Sequence, residues 1–311
     1  WTPPAAVEVE ARALEWLNAH KADDAMRSRF AEIWAEDLPA ETTLLQKLAS
    51  TFALVDPRAA ELVALCAGPR DALIAPSMPW LMDSSVDPFE AHNLRLLYGR
   101  WLVHEAMYDE SLVYLASLEP KDVVAPATLL FFQGVAYHAL VEKEQGLAVL
   151  RRLLDGAEQS PRRYAAVARL MQEDLDGVEP DTLDHIARRM DDIHRRLDLG
   201  RAGPKVRGIE DGVIDSLDKL IKRLEDQQQQ QSGGGGGGIQ SGAPASDSQI
   251  VGGKGPGNVD RKDIGDKSGW GSLPPKQREE ALQQIGRDFP AHYREVIEEY
   301  FRRKAATEKQ P

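Results

Sequence analysis

The chain has 311 residues, of which 42% are hydrophobic, and a formal net charge of −12. This length allows one or two ordinary domains with a real core, and the acidic balance disfavours nucleic-acid binding, which needs a clustered positive surface. No apolar stretch is long enough to cross a membrane, and the lone Cys66 excludes an internal disulfide and a cysteine-based zinc site.

The chain begins with Trp1 rather than Met. Removal of a signal peptide leaves such a start, and trimming of the chain fits equally. We expect a periplasmic or secreted protein, with a cytoplasmic location as the alternative.

The predicted fold class is all-α, because the strong helix formers Ala, Leu, Glu, Arg and Gln dominate the composition. Residues 1–68 are predicted as N-terminal helices, with a cap at Thr42 or Thr43 and another helix start at Asp56-Pro57. Residues 69–92 are predicted as an ordered loop, because prolines punctuate this stretch without a helical period.

A repeat follows in residues 93–179. Five positions recur 35 residues further on: Leu94, Gly99, Leu102, Leu115 and Leu118 return as Leu129, Gly134, Tyr137, Leu150 and Leu153. The pattern resembles the tetratricopeptide repeat, whose period is about 34 residues. Gly99 and Gly134 match the family's small residue in the first helix, and Ser111 and Gly146 match that of the second. The resemblance implies stacked helical pairs.

Residues 180–226 carry two heptad patterns on either side of a Gly/Pro break at 200–204. The first comprises Leu183, Ile186, Met190, Ile193 and Leu197, and the second comprises Val206, Ile209, Val213, Leu217, Leu220 and Leu224. Two such helices joined by a short loop are expected to fold back on each other. We predict an antiparallel coiled-coil hairpin that packs through Met190, Ile193, Val213 and Leu217.

Residues 227–269 are predicted as a Gln/Gly-rich disordered tether, because they lack the apolar residues that would offset chain entropy. Residues 270–311 are predicted as a small helical pair. Its second helix carries an apolar stripe at helical spacing, formed by Tyr293, Val296, Ile297, Tyr300 and Phe301. A pair this small rarely has a sufficient core of its own, so we expect the stripe to be buried in a contact.

The segment 269–306 resembles a C-terminal module of uncharacterised, exported bacterial proteins. The residues that carry the resemblance are Gly269-Trp270-Gly271, Leu273-Pro274-Pro275, Arg278 and the run 293–301. The resemblance implies export and a contact role, and it brings no activity with it.

No motif in the sequence predicts a catalytic residue, a cofactor or a metal. Lys254 follows a Gly pair but precedes Gly255, whereas a phosphate-binding loop needs Ser or Thr there. His185 and His194 are nine residues apart, which puts them on roughly opposite sides of a helix and makes a shared metal site unfavourable.

The sequence therefore favours a non-catalytic scaffold or adaptor that binds a protein partner. The first helices of the repeats are predicted to supply the contact residues Arg95, Tyr98, Trp101, Gln133 and Tyr137, and the tail is predicted to supply Trp270, Tyr293, Val296, Ile297, Tyr300 and Phe301. Packing between repeats is the alternative role for the aromatic residues of the first group. A regulatory subunit that docks on an enzyme through residues 270–311 is the alternative function, and an enzyme with an unrecognised site is the third. A homodimer through the heptad helices or the tail remains open.

Overall fold

The computed structural model of the protein describes residues 1–35 and 43–233. Within these ranges the secondary structure is entirely helical, with eleven α-helices, three short 3-10 turns and no strand. The predicted all-α class is therefore confirmed for this part of the chain. No helix in these ranges combines the length and the apolar character that a membrane span requires. Residues 234–269 of the predicted tether and the predicted tail module, 270–311, lie outside the described residues.

The helices follow one another in the chain with short connections. They are α1 (Ala6–Ala19), α2 (Asp24–Trp34), α3 (Leu44–Phe52), α4 (Pro57–Cys66), α5 (Pro88–His104), α6 (Tyr108–Leu115), α7 (Pro126–Ala139), α8 (Lys143–Asp155), α9 (Arg162–Gly177), α10 (Leu183–Asp198) and α11 (Pro204–Gly233).

Capping residues set the starts of α3, α4 and α5. The side chains of Thr43, Asp56 and Asp87 each accept a hydrogen bond from a backbone N–H in the first turn of their helix. Because Asp87 caps α5 and Pro88 occupies its first turn, this helix begins inside the segment predicted as a loop. The predicted loop 69–92 is therefore too long at its C-terminal end.

Helix α5 lies at the centre of the described helices and contacts α3, α4, α6 and α7. It is buried on nearly all sides, with Leu94 and Leu102 fully inaccessible to solvent. Burial of a leucine side chain stabilises a fold by about 1.5–3 kcal/mol, so this helix is a main source of stability. Its N-terminal neighbours α3 and α4 cover the side that would otherwise face solvent.

The same close contact recurs in two successive helix pairs. Gly99 of α5 faces the side chain of Leu115 in α6, and a Cβ atom at Gly99 would overlap it. Gly134 of α7 faces Leu150 of α8, where a Cβ atom would lie 2.6 Å from Leu150 Cδ2. Both pairs of positions are related by the 35-residue offset found in the sequence. Glycine is therefore required at both places for the second helix to approach.

The turns between paired helices also recur. Ala106 after α5 and Val141 after α7 both have a positive φ, of 57° and 59°. In both turns a backbone N–H donates to the carbonyl oxygen five residues earlier. Met107 donates to Leu102 in the first turn, and Glu142 donates to Tyr137 in the second. These non-glycine residues adopt a left-handed conformation that L-amino acids usually avoid.

Helices α10 and α11 run in opposite directions. Near the start of α10, the Ser216 hydroxyl donates to Asp181 Oδ1 at 2.7 Å. Further along, Arg189 Nη2 donates to the carbonyl oxygen of Ile209 at 3.2 Å. Contacts thus pair later residues of α10 with earlier residues of α11.

The contact between α10 and α11 differs from the seam predicted through Met190 and Leu217. Met190 is 54% exposed and Leu217 is 36% exposed, whereas Ile186 and Val213 are buried. The prediction is wrong in this respect because α10 is rotated so that its charged residues face the preceding helices. Only part of each heptad pattern is therefore buried between the two helices.

Ion pairs connect α10 to α6. Arg196 is 3% exposed and lies between two carboxylates, with Nε 2.7 Å from Asp192 Oδ2 and Nη1 2.6 Å from Asp109 Oδ2. Lys205 at the start of α11 also pairs with Asp109. Burial raises the pKa of Asp109, but hydrogen bonds from Lys205 and Arg196 outweigh it, so the pKa lies below its ordinary value. Arg196, Asp192 and Asp109 therefore each have a partner of opposite charge, as their desolvation requires.

Helix α11 continues seven residues beyond the boundary predicted at residue 226, and ends at Gly233. The predicted tether therefore starts too early. The run 227–231 consists of glutamine, a good helix former, and the change to consecutive glycines comes only at Gly233.

Candidate protein-contact surfaces

Two polar residues predicted to contact a partner are instead bonded inside the protein. Arg95 is 7% exposed, and its guanidinium donates to the carbonyl oxygen of Tyr114 at 2.8 Å and to the Ser117 hydroxyl. Gln133 is 4% exposed, and its Nε2 donates to the carbonyl oxygen of Leu115 at 2.7 Å. Both side chains satisfy carbonyl groups near the end of α6, which would otherwise lack partners.

Two aromatic residues of the same prediction are also buried. Tyr98 is inaccessible to solvent and its hydroxyl donates to the carbonyl oxygen of Pro76, and burial raises its pKa. Trp101 is 5% exposed, and its Nε1 donates to the carbonyl oxygen of Gly68 at 2.8 Å. Arg95, Gln133, Tyr98 and Trp101 are therefore bonded inside the protein and are not exposed for the contact role predicted for them. The aromatic pair packs within the described helices.

The other predicted contact residues have separate outcomes. Tyr137 is half-buried near the end of α7, where its Cβ atom lies beside Gly146 of α8, and burial raises its pKa. Its position allows partial contact with solvent. The predicted tail residues lie outside the described part of the chain: Trp270, Tyr293, Val296, Ile297, Tyr300 and Phe301.

An apolar surface lies elsewhere, on the neighbouring helices α7 and α9. We call it the α7–α9 face and define it by Phe131, Val135, Val167 and Leu170. Leu170 is 65% exposed and Val167 is 41% exposed, while Phe131 and Val135 are half-buried against the core. Leu170 and Val167 are a single helical turn apart, so they lie on the same side of α9.

Two contacts fix how α7 and α9 lie together. The rings of Phe131 and Tyr164 stack with centroids 4.2 Å apart. Towards the C-terminal ends, His138 Nε2 lies 2.7 Å from Asp174 Oδ2. Both contacts pair residues with similar offsets along the chain, so the helices are parallel. This alignment places Val135 beside the stretch of α9 that carries the exposed valine and leucine.

A polar group borders the α7–α9 face. Asp174 accepts hydrogen bonds from His138 and from two nitrogens of Arg188, with Nη2 2.9 Å from Oδ1. The hydrogen bonds from Arg188 are the main cause that lowers the pKa of Asp174 to about 2, against the opposing effect of burial. The carboxylate therefore stays ionised, and its hydrogen bonds to His138 and Arg188 hold α7, α9 and α10 together.

A buried acid lies in the first turn of α5. Glu90 is 4% exposed, and within the described residues its Oε1 has no hydrogen-bond partner. Burial raises its pKa to about 7, and the nearby charge of Asp56 adds to the shift. Arg58 has the opposite effect but is itself paired with Asp56. A carboxyl group in this setting changes charge near neutral pH.

The remaining candidate sites offer little chemistry. A cavity of about 340 Å³ lies between the N-terminal segment and α5, where Arg12 covers the ring of Phe89 at 4.0 Å. Asn93 in its wall uses both ends of its amide within the chain. Burial raises the pKa of the Cys66 thiol to about 12, so it stays protonated. In the described ranges, no three His, Cys, Asp or Glu residues are grouped to hold a metal.

Sequence reasoning missed the α7–α9 face. The spacing of Tyr164, Val167 and Leu170 does indicate one apolar side of α9. It does not show that Tyr164 is buried while the other two remain exposed, because that depends on where α9 crosses α7. The sequence therefore shows the apolar stripe of α9 but not that it lies beside α7.

No protein-family model, no curated protein and no solved structure matches this chain.

Proposed function

We propose that this protein is a non-catalytic helical-repeat scaffold or adaptor, which binds a protein partner through the α7–α9 face. The observation that carries the proposal is the exposure of Leu170 and Val167 on one side of α9, beside the half-buried Phe131 and Val135 of α7. Exposed apolar side chains grouped in this way are typical of protein-interaction sites.

A tetratricopeptide-like arrangement supports this proposal. The glycine–leucine contacts of Gly99 with Leu115 and Gly134 with Leu150 recur at one offset, and so do the left-handed turns at Ala106 and Val141 in a chain of paired helices. In a stack of such pairs the first helices of successive repeats lie side by side and form an extended binding surface. Helices α7 and α9 are the first helices of two such repeats.

The nature of the α7–α9 face indicates what it binds. It offers apolar side chains in the middle, and the ionised Asp174 lies at its far end. A peptide segment with apolar anchors fits this face, because its apolar side chains are exposed while the acid is already paired with Arg188.

The test is affinity capture of the full chain from an extract of its source cells, with a matched pair of substitutions. Leu170→Asp places a charge on the α7–α9 face, whereas Val113→Asp changes a residue of α6 that is similarly exposed, at 61% against 65%. We expect a protein that the unchanged chain and Val113→Asp retain equally, and that Leu170→Asp recovers at least tenfold less. Equal recovery with both variants would contradict the proposed function.

A further inference from the structure

Large apolar residues also face solvent on α10 and α11. Their exposed fractions range from 36% to 65%. They are Leu183, Met190 and Leu197 on α10, and Ile214, Leu217, Ile221 and Leu224 on α11. We call this surface the outer groove. Residues seven apart on α10 return to nearly the same side of the helix, and the α11 residues have the 3-4-3 spacing of a coiled-coil seam.

The two rows lie on one side of the helix pair. Met190 is displaced by about 40° around α10 from the buried Ile186, and Leu217 by about 40° in the same sense around α11 from the buried Val213. In an antiparallel pair, equal rotations from the contact line lead to the same side. Arg196, which docks on α6, lies about 80° from Ile186 in the opposite sense. The outer groove therefore faces away from the preceding helices.

Acidic residues border the outer groove on both helices. On each helix the acids are seven residues apart. Each acid directly follows one of the exposed apolar residues or, for Asp211, the position seven residues before Leu217. They are Asp184, Asp191 and Asp198 on α10, and Asp211, Asp218 and Glu225 on α11. Asp184 pairs with Arg188, and Asp198 lies 3.3 Å from His194 Nδ1. Among the described residues the other four make no ion pair, so both edges carry net negative charge.

These charges decide between occupants of the outer groove. A second copy of the same surface would bring acidic edges against acidic edges, which is unfavourable where like charges meet across an interface. A helix with basic residues beside its apolar stripe would instead match both edges. The heptad spacing of the floor favours an α-helix, because its side chains can insert between residues three and four apart.

We propose that the outer groove binds an amphipathic α-helix of a protein partner, with Lys or Arg flanking the apolar stripe of that helix. This inference rests on the proposed function and deepens it, because it adds a second contact surface and names the class of segment that it takes. It uses residues of α10 and α11 alone, so its failure would leave the test of the α7–α9 face unaffected.

The experiment uses the full chain and a fluorescent synthetic peptide of about three heptads, with Leu and Ile at the core positions and Lys at the flanking positions. A matched peptide carries Glu at the flanking positions. We expect fluorescence anisotropy to show binding of the Lys peptide and at least tenfold weaker binding of the Glu peptide. Leu217→Asp is expected to weaken binding of the Lys peptide at least tenfold, while Val113→Asp leaves it unchanged.

A charge reversal tests the edges separately from the floor. The double variant Asp191→Lys with Asp218→Lys is expected to prefer the Glu peptide. Circular dichroism tests whether each variant is folded. Leu217, Asp191 and Asp218 are exposed, so their substitution is expected to leave the fold intact.

Four outcomes would overturn the proposal. Equal binding of both peptides would show that charge does not select the occupant, and absence of binding would remove the site. A concentration-dependent dimer abolished by Leu217→Asp would assign the groove to a second copy. Binding that appears only in the full chain carrying Tyr300→Asp and Phe301→Asp would assign it to this chain's own C-terminal segment.

Discussion

Leu150 occupies the space beside Gly134 that a side chain would need, since a Cβ atom on Gly134 would lie 2.6 Å from Leu150 Cδ2. This approach joins α7 to α8, and it recurs between Gly99 and Leu115 in the preceding pair. In both pairs the absent side chain on one helix makes room for a leucine on the next.

Gly134→Ala is expected to destabilise the protein by about 1–3 kcal/mol, because the added methyl group overpacks a filled contact. Gly208→Ala is the matched control, since no atom lies within 4 Å of the added Cβ in α11. The control is expected to gain about 1 kcal/mol from helix propensity. Urea denaturation measures both, and a stabilising effect of Gly134→Ala would show that α8 is free to move away.

The burial of α10 predicts opposite outcomes for two residues four apart. Ile186→Asp places an unpaired charge at a site that is 4% exposed, and is expected to cost about 3 kcal/mol or more. Met190→Asp changes a residue that is 54% exposed, and is expected to alter the free energy of unfolding by no more than about 0.5 kcal/mol. Thermal denaturation of both variants provides the measurement. A large loss with Met190→Asp and a small one with Ile186→Asp would restore the seam predicted from the sequence.

Glu90 is expected to make stability depend on pH. Its folded-state pKa of about 7 lies above its ordinary value of 4.5, so the folded protein retains a proton that the unfolded chain has released. Its effect on stability is therefore most favourable below pH 4.5, declines as the pH rises, and is fully lost above about pH 7.

Glu90→Gln removes this titration. The variant is expected to be more stable than the unchanged protein by about 1–3 kcal/mol at about pH 8.5, and to differ little near pH 4.5. Denaturant unfolding at both pH values measures the difference, with the exposed Glu61→Gln as control. A difference that is the same at both pH values would mean that folding does not shift the pKa of Glu90.

The left-handed turn at Ala106 predicts a stabilising substitution. Ala106 has a φ of 57°, which glycine adopts without a steric penalty, so Ala106→Gly is expected to gain about 0.5–1 kcal/mol. The same change at the exposed Ala11 inside α1 is expected to lose about 1 kcal/mol. Differential scanning calorimetry gives the sign of each effect, and a loss at both positions would contradict the observed turn.

Much of the fold is encoded in local chemistry that the sequence displays directly. Asp56 followed by Pro57 starts α4 as predicted, and the 35-residue offset by itself marks the positions of both glycine–leucine contacts. Such signals depend on neighbours in the chain or on a regular spacing, so they can be interpreted without knowing how distant segments meet.

The contact surfaces depend on distant segments, and here prediction from the sequence failed. Trp101 and Tyr98 suit a binding surface by residue type. Both are buried, however, and they donate hydrogen bonds to the carbonyl groups of Gly68 and Pro76. The heptad pattern of α10 contains two overlapping apolar sides. The charged Arg196 looks like a solvent-facing residue, yet carboxylates on two helices make its burial favourable.

The most direct test of the proposed scaffold is amide hydrogen exchange of the full chain with and without its captured partner. Binding through the α7–α9 face predicts slower exchange in α7 and α9, centred on the turns that carry Val135 and Leu170, with α1 and α2 unchanged. Protection confined to α1 and α2, or no change in α7 and α9 when the partner is bound, would contradict the proposed role of this face.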